Sequence, residues 1–249
     1  LVCSEVLGLS LTEQILAAES QVDDDTSEQI LEIAQRSIAG EPVAYILGVS
    51  YFDGLRLTVD SQVLIPRPDT ETLVEVASAL ISDGGIQFVH DLCTGSGAVA
   101  LAMKARHPHC SVTASDLSED AVRCAIQNAN TLKLGVECKQ ADLFEGLSKF
   151  DLVTANPPYI AYDDPEVDAD VVSHEPAMAL FAENSGLSLI ERILTDALAH
   201  LVDGGVLCLE HGHRQDHDVR QFAIDMGWQS VQTYQDLAGR DRVTRMQRP

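Results

Sequence analysis

The apolar run Phe150-Asp151-Leu152-Val153-Thr154-Ala155 ends abruptly in Asn156-Pro157-Pro158-Tyr159, and this junction constrains the chain more than any other stretch. Six consecutive, mostly apolar residues bounded by prolines predict a buried strand of a parallel sheet. The tetrapeptide then stands at the strand's carboxyl end, the edge at which open α/β sheets bind ligands. Each proline fixes its own φ and restricts the residue before it, so the backbone there is stiff. Asn156 offers a side-chain carbonyl acceptor, Asn156 and Pro157 offer main-chain carbonyls, and Tyr159 offers an aromatic face. Such a site suits a flat NH2 group.

A second signal lies upstream. Gln87 to Leu92 reads as a strand that runs into Cys93-Thr94-Gly95-Ser96-Gly97 and then a helix over Ala98 to Arg106. Gly95 and Gly97 permit a tight turn and a close backbone approach to a ligand, and the helix N-terminus presents unpaired N–H groups. A further strand, Ser111 to Ser115, ends in Asp116, about twenty residues past the glycines, where an acidic side chain accepts from ribose hydroxyls. Gly95-Ser96-Gly97-Ala98-Val99-Ala100 also fits a relaxed dinucleotide fingerprint, so on the glycines alone two nucleoside cofactors compete.

Asp91 before the loop, Asp142-Leu143-Phe144 after a third strand and the Asn-Pro-Pro-Tyr segment after a fourth together resemble a class I S-adenosylmethionine-dependent methyltransferase of the amino-methylating kind. The resemblance implies S-adenosylmethionine as cofactor and S-adenosylhomocysteine as product. It implies that Cys93, Thr94, Gly95, Ser96 and Gly97, with Asp91, serve the methionine and ribose part. Asp116 takes the ribose hydroxyls, Asp142 and Leu143 flank the adenine, and Asn156 meets both cofactor and acceptor.

Three further stretches, Gly40 to Gly48, Phe52 to Leu55 and Val63-Leu64-Ile65-Pro66-Arg67-Pro68-Asp69-Thr70-Glu71, are similar to the release-factor glutamine methyltransferase family, often called HemK or PrmC. Glu175-Pro176, Glu210-His211-Gly212 with Gln215, and Asp236 to Arg242 agree with it. The resemblance runs from Gly40 almost to the end. It implies transfer of a methyl group to the side-chain amide nitrogen of the glutamine in the Gly-Gly-Gln loop of peptide chain release factors. Asn156, Pro157, Pro158 and Tyr159 would be the catalytic segment, and these four with Arg67 the substrate contacts. A related family that methylates a ribosomal-protein glutamine shares Asn-Pro-Pro-Tyr but usually differs over Pro66 to Glu71. The family commonly has Gly where this chain has Cys93, and an acidic-glycine pair near Asn184-Ser185-Gly186-Leu187.

The order of patterns predicts an α/β chain: a Rossmann-like, mostly parallel doubly wound sheet with a terminal antiparallel hairpin, plus a small N-terminal helical domain. Residues 1–48 read as that helical domain, a shortened form of the family's substrate-recognition domain, with Leu7, Leu11, Ile15, Ile30, Leu31 and Ile38 as core candidates. Residues 49–63 read as a linking β-hairpin and 64–249 as the catalytic domain. Val206 to Glu210 is expected as a strand after Gly204-Gly205, and Trp228 to Tyr234 with Arg242 to Gln247 as the closing pair.

The charge of -23 over 249 residues argues against a polyanionic substrate, because tight nucleic-acid binding rests on basic phosphate contacts. An adenine or cytosine amino-methyltransferase would share the tetrapeptide, yet neither a basic groove nor a base-reading domain is visible. The acidic run Asp163-Asp164-Pro165-Glu166 with Asp168 and Asp170 reads equally as a substrate-docking loop or as a solvated loop. The six cysteines show no metal or redox spacing. His211, His213 and His217 fit no zinc signature and read as surface or capping residues, so no metal is expected. With no membrane-length apolar stretch and no charged-then-apolar leader, the chain reads as a cytoplasmic monomer.

Overall fold

In the computed structural model, residues 1–82 and 85–249 are described. Four helices come first: α1 (Val2–Leu7), α2 (Leu11–Leu16), α3 (Asp24–Ile38) and α4 (Val43–Leu47). Ser10 and Glu13 form a reciprocal capping box on α2, and Asp23 caps α3 by accepting from the Thr26 N–H. These short polar side chains satisfy backbone N–H groups that a helix start leaves open.

The expected core of this region is corrected by the structure. Leu11, Ile15, Leu31 and Ile38 are exposed, Leu7 and Ile30 are half-buried, and Ile33 is the buried residue of α3. Helical periodicity identifies an apolar face, but burial needs an element to lie on it, and among the described residues none covers this one.

The hairpin β1 (Val49–Phe52) and β2 (Leu55–Thr58) follows, turning through Asp53-Gly54 with both residues at positive φ. Glu5 of α1 accepts from Tyr51 and Arg56 of this hairpin and ties the helices to it. A 3-10 turn, Pro68–Thr70, then leads into α5 (Glu71–Ser82).

The sheet is built from β3 (Phe88–Leu92), β4 (Ser111–Asp116), β5 (Val136–Gln140), β6 (Phe150–Ala155), β7 (Leu201–Glu210), β8 (Gln229–Gln235) and β9 (Asp241–Gln247). Its order is β5-β4-β3-β6-β7-β9-β8, with β9 antiparallel to both β7 and β8 and the remaining pairs parallel. Crossovers are made by α6 (Ala98–Arg106), α7 (Glu119–Leu132), the short α8 (Ala169–His174) and α9 (Ala177–Leu180), and α10 (Ser188–His200); α11 (Asp216–Asp225) precedes β8. β7 begins five residues earlier than Val206, with a register shift between Phe150 and Leu152. Gly204, at φ 74, lets the strand turn through that irregularity rather than start after it.

Two apolar layers hold the sheet. Leu73, Ala77, Leu101, Met103 and Leu152 pack in one cluster, and Ile190, Ile193, Leu194, Leu207 and Trp228 in the other. The chain leaves β3 for β4 and β5 on one side and returns to β6 and β7 on the other, so strand order reverses between β3 and β6. Leu92 and Ala155 are register partners across that switch point. The glycine loop and the Asn-Pro-Pro-Tyr segment therefore emerge side by side, where α/β sheets hold their ligands.

Candidate active site

Two cavities meet at this edge. The first is lined by Cys93 and Gly95 after β3, Asp116 to Ser118 at the end of β4, Asp142 and Leu143 after β5, and Asn156 and Pro158 after β6. Gln62 to Leu64 of the linker, Pro176, Met178 and Ala179 of the α8–α9 region, and Arg192 of α10 complete its wall. The second is an open groove bounded by Arg67, Asn156, Pro157, Tyr159, Glu210, Gln215 and Arg242 among others. Asn156, Leu64 and Ala179 line both, so Asn156 stands at the junction.

The cavity wall is built by local hydrogen bonding. Asp116 Oδ2 accepts from the Gly95 N–H and Oδ1 from the Ser118 N–H, each at 2.9 Å. One carboxylate thus fixes both the glycine loop and the start of α7, and burial raises its pKa. Asp142 is held by Arg192, whose Nη2 lies 3.1 Å from both carboxylate oxygens. Leu143 is buried at φ 49 and closes the apolar side. Cys93 also lies in the left-handed region, at φ 54, which a glycine enters without the Cβ clash.

Not every expected cofactor residue reaches the cavity. Asp91 is 2 % exposed and accepts from the Thr94 hydroxyl at 2.6 Å and the Thr154 hydroxyl at 2.7 Å. Burial pushes its pKa up to about 6. Asp91, Thr94, Ser96 and Gly97 lie behind the wall and shape it from beneath. Gly97 makes its close approach to α7: a Cβ there would meet Ala125 Cβ at 3.2 Å and Cα at 3.3 Å. Its φ of 85 also starts α6 in the left-handed region.

On the groove side, Asn156 Nδ2 donates to Thr70 Oγ1 at 3.1 Å. Among the described residues no donor reaches Asn156 Oδ1 or the Pro157 carbonyl, so two acceptors are left for a ligand. The Tyr159 hydroxyl donates to Glu210 Oε1 at 3.1 Å and accepts from Arg242 Nη1 at 3.4 Å. Glu210 is 1 % exposed, and burial pushes its pKa up to about 7 against the lowering contacts of Thr70, Arg242 and Tyr159. Arg67 pairs with the buried Glu175, which also accepts from the Ile65 N–H at 3.2 Å. This joins the linker to the segment before α9 while Arg67 still borders the groove.

Thr70, Glu175, Arg192, Glu210, Gln215 and Arg242 carry much of this architecture without having been assigned to the site from sequence. Arg192 sits mid-helix with no local signature. The others fall in recognisable stretches, and only the fold shows that these converge. His211 corrects the expectation of a surface histidine: it is fully buried, with Nε2 2.8 Å from the Thr244 hydroxyl and Nδ1 donating to the Gly212 carbonyl. Among the described residues no group of three or more His, Cys, Asp or Glu side chains is arranged to hold a metal.

Comparison with known proteins matches residues 70–176 to the family described as methyltransferase small domain, and residues 1–48 to the PrmC N-terminal domain. The release factor glutamine methyltransferase of Aliivibrio fischeri is 41% identical over 230 residues, covering 91% of this chain and 81% of its own. That of Escherichia coli is 39% identical over 242 residues, covering 96% and 87%. This chain belongs to the release factor glutamine methyltransferase family. It is accordingly a methyltransferase, with the α/β fold of that class. A Pyrococcus furiosus methyltransferase aligns with TM-score 0.59 at 19% identity over 90% of this chain and 98% of that one. The 16S rRNA N2 G1207 methyltransferase of T. thermophilus, solved with AdoMet and guanosine, aligns with TM-score 0.59 at 17% identity over 81% and 50%. These two likenesses concern fold alone. No helix among the described residues is long and apolar enough to cross a membrane.

Proposed function

We propose that this chain transfers a methyl group from S-adenosylmethionine to the side-chain amide nitrogen of the glutamine in the Gly-Gly-Gln loop of peptide chain release factors. The observation that carries the reading is the position of Asn156 at the junction of the cavity and the groove, with its carbonyl oxygen unengaged. Membership of the release factor glutamine methyltransferase family supports the acceptor.

The residues present fit the cofactor. Asp116 offers a carboxylate beside a glycine loop for ribose hydroxyls, Leu143 an apolar surface for a planar base, and Asp142 a polar edge. When bound, S-adenosylmethionine supplies a methyl group already activated by positive sulfur. The task of the protein is then the acceptor, because a carboxamide nitrogen has its lone pair delocalised into the carbonyl. Asn156 Oδ1 and the Pro157 carbonyl accept from the two amide hydrogens of the glutamine and aim its nitrogen at the cavity mouth. Positive charge developing on that nitrogen in the transition state strengthens both bonds, which makes them catalytic rather than merely binding contacts. No base is needed to start the reaction, since the proton leaves after the methyl group arrives. Pro158 and Tyr159 wall the slot and exclude water.

The groove is lined by carboxylates, among them Asp164 and Asp168, and by cations, among them Arg67 and Arg240, so its own lining favours neither sign. The chain's net charge of -23 suits a basic protein partner and opposes a nucleic acid. We take the working state to be a monomer in the cytoplasm. The test is methyl transfer from labelled cofactor to a purified bacterial-type release factor, a ribosomal protein fraction, and duplex DNA. Label on the release factor alone is the expected result; label on either of the others in its place overturns the reading.

A further inference from the structure

Part of the cofactor cavity's wall comes from outside the sheet. One such stretch is Gln62 to Leu64 of the linker after β2, and another is Pro176, Met178 and Ala179 at α9. The linker is pinned at three points. At its start the buried Asn128 of α7 accepts from the Thr58 N–H at 2.7 Å and donates to the Thr58 carbonyl at 3.0 Å and to the Ser96 carbonyl of the glycine loop at 2.9 Å. In its middle the Tyr45 hydroxyl of α4 donates to the Val63 carbonyl at 2.6 Å. At its end Glu175 Oε2 accepts from the Ile65 N–H at 3.2 Å, and Oε1 accepts from Arg67. The first two pins hold the linker to helices. The third holds it to the other stretch of wall, because Pro176 follows Glu175 directly.

This third pin differs from the others in carrying charge. The Glu175 side chain is 1% exposed, and Arg67 supplies the cation beside it. A buried carboxylate deprived of its cation is costly, so the pair either stays together or the carboxylate moves into water. Arg67 itself is 38% exposed and borders the groove. The contact is therefore strong when made and open to solvent on one side, and its separation frees both stretches of wall at once.

We propose that Glu175 and Arg67 form a latch that holds the linker and the α9 segment together beside the cofactor, so that the cofactor leaves when the pair separates. Glu175 is then a positioning residue for the cofactor site. The inference rests on the reading of this cavity as the S-adenosylmethionine site. The strand ends and the glycine loop set where the cofactor lies, and the latch sets how long it stays.

The test is a chase on the full chain. Protein loaded with tritiated S-adenosylmethionine is diluted into excess unlabelled S-adenosylhomocysteine with no release factor present, for wild type, E175Q, R67M, R67K and the double variant E175Q/R67M. E175Q and R67M are each expected to release label about tenfold faster than wild type, the scale of a lost hydrogen bond to a charged group read in the dissociation rate. The double variant should be no faster than the quicker single variant, because both remove one shared contact. R67K keeps the charge and should hold label longer than R67M. A fold merely loosened at two places would instead add the two single effects and treat lysine and methionine alike. Release at the wild-type rate in both single variants, additive effects in the double variant, or R67K as fast as R67M overturns the latch. Should E175Q not fold, R67M against R67K decides, since Arg67 lies partly in water. A wild type that holds no label overturns the cofactor reading and the latch with it. A wild type that shows the latch yet transfers no methyl group to a release factor overturns the substrate reading alone.

Discussion

Gln215 donates from Nε2 to the Tyr159 carbonyl at 2.9 Å and to the Ser185 carbonyl at 3.0 Å, while its Oε1 accepts from the Gly212 N–H at 2.9 Å. One side chain therefore joins the catalytic segment to two other loops. Gly186 approaches so closely that a Cβ on it would lie 2.0 Å from the Tyr159 oxygen. Replacing Gln215 by Ala leaves three backbone groups short of a partner and is expected to cost about 1–3 kcal/mol in stability. It should lower kcat while cofactor affinity holds. Gly186→Ala, with φ 82 and that clash, should be the harsher change, at about 2–4 kcal/mol by analogy with other strained positions. Chemical denaturation and calorimetric cofactor titration measure both.

Asp116 is expected to act through both of its oxygens. Asp116→Asn turns an NH2 toward either the Gly95 or the Ser118 N–H, two donors now satisfied at 2.9 Å. Cofactor affinity should fall by about tenfold or more, in line with loss of a charge-assisted bond, with little change in global stability. Calorimetry with S-adenosylhomocysteine checks this; affinity equal to wild type would restrict Asp116 to shaping the loop.

Arg242 lies between Asp236 and Asp69, 3.2 Å from each, with its side chain 7% exposed and that of Asp236 1% exposed. Removing the cation strands the buried Asp236 carboxylate and leaves Glu210 without its positive neighbour. Arg242→Met should therefore destabilise the fold by about 3–5 kcal/mol and raise the pH at which Glu210 titrates. A melting curve and the activity profile would reveal the two effects separately.

Burial gives Asp91 a pH-dependent contribution to stability. Its folded pKa, about 6, lies above the ordinary carboxylate value of 3.8. The native state then holds its proton to higher pH than the unfolded state, and this contribution to stability is lost as pH rises from about 4 to about 6. Asp91→Asn cannot titrate. Relative to that variant, wild type should gain on the order of 2–3 kcal/mol as pH is lowered across the same window. Paired denaturation curves at the two ends measure it, and a difference that does not change with pH would contradict the assignment.

The sheet was legible wherever local chemistry punctuates the chain. α6 runs from Ala98 to Arg106 as read, because Gly97 starts it and the β-turn after Arg106 ends it, and β6 stops at Ala155 because two prolines follow. β7 exceeds its expected span because a glycine pair usually ends a strand, whereas here it bends one. The N-terminal apolar stripe was visible, yet Leu11 at 73% and Ile38 at 86% exposure show that a periodic face does not imply a covering layer. Of the site, the loop residues were readable as motifs. The couplings of Arg192 to Asp142, Thr70 to Asn156 and Gln215 to Tyr159 cross 50, 86 and 56 residues, and no local pattern encodes such pairs.

On the proposed reading, Asn156 presents a glutamine of the release factor to the methyl donor. The most direct test is peptide mass analysis of a purified release factor after incubation with S-adenosylmethionine and either wild type or N156A. A release factor lacking the Gly-Gly-Gln glutamine and calorimetric cofactor binding serve as controls. The expected result is one added methyl on that glutamine with wild type, none on the altered release factor, and near-complete loss with N156A while the cofactor still binds. Methylation by N156A at the wild-type rate, or a methyl group that persists when the glutamine is absent, would contradict it.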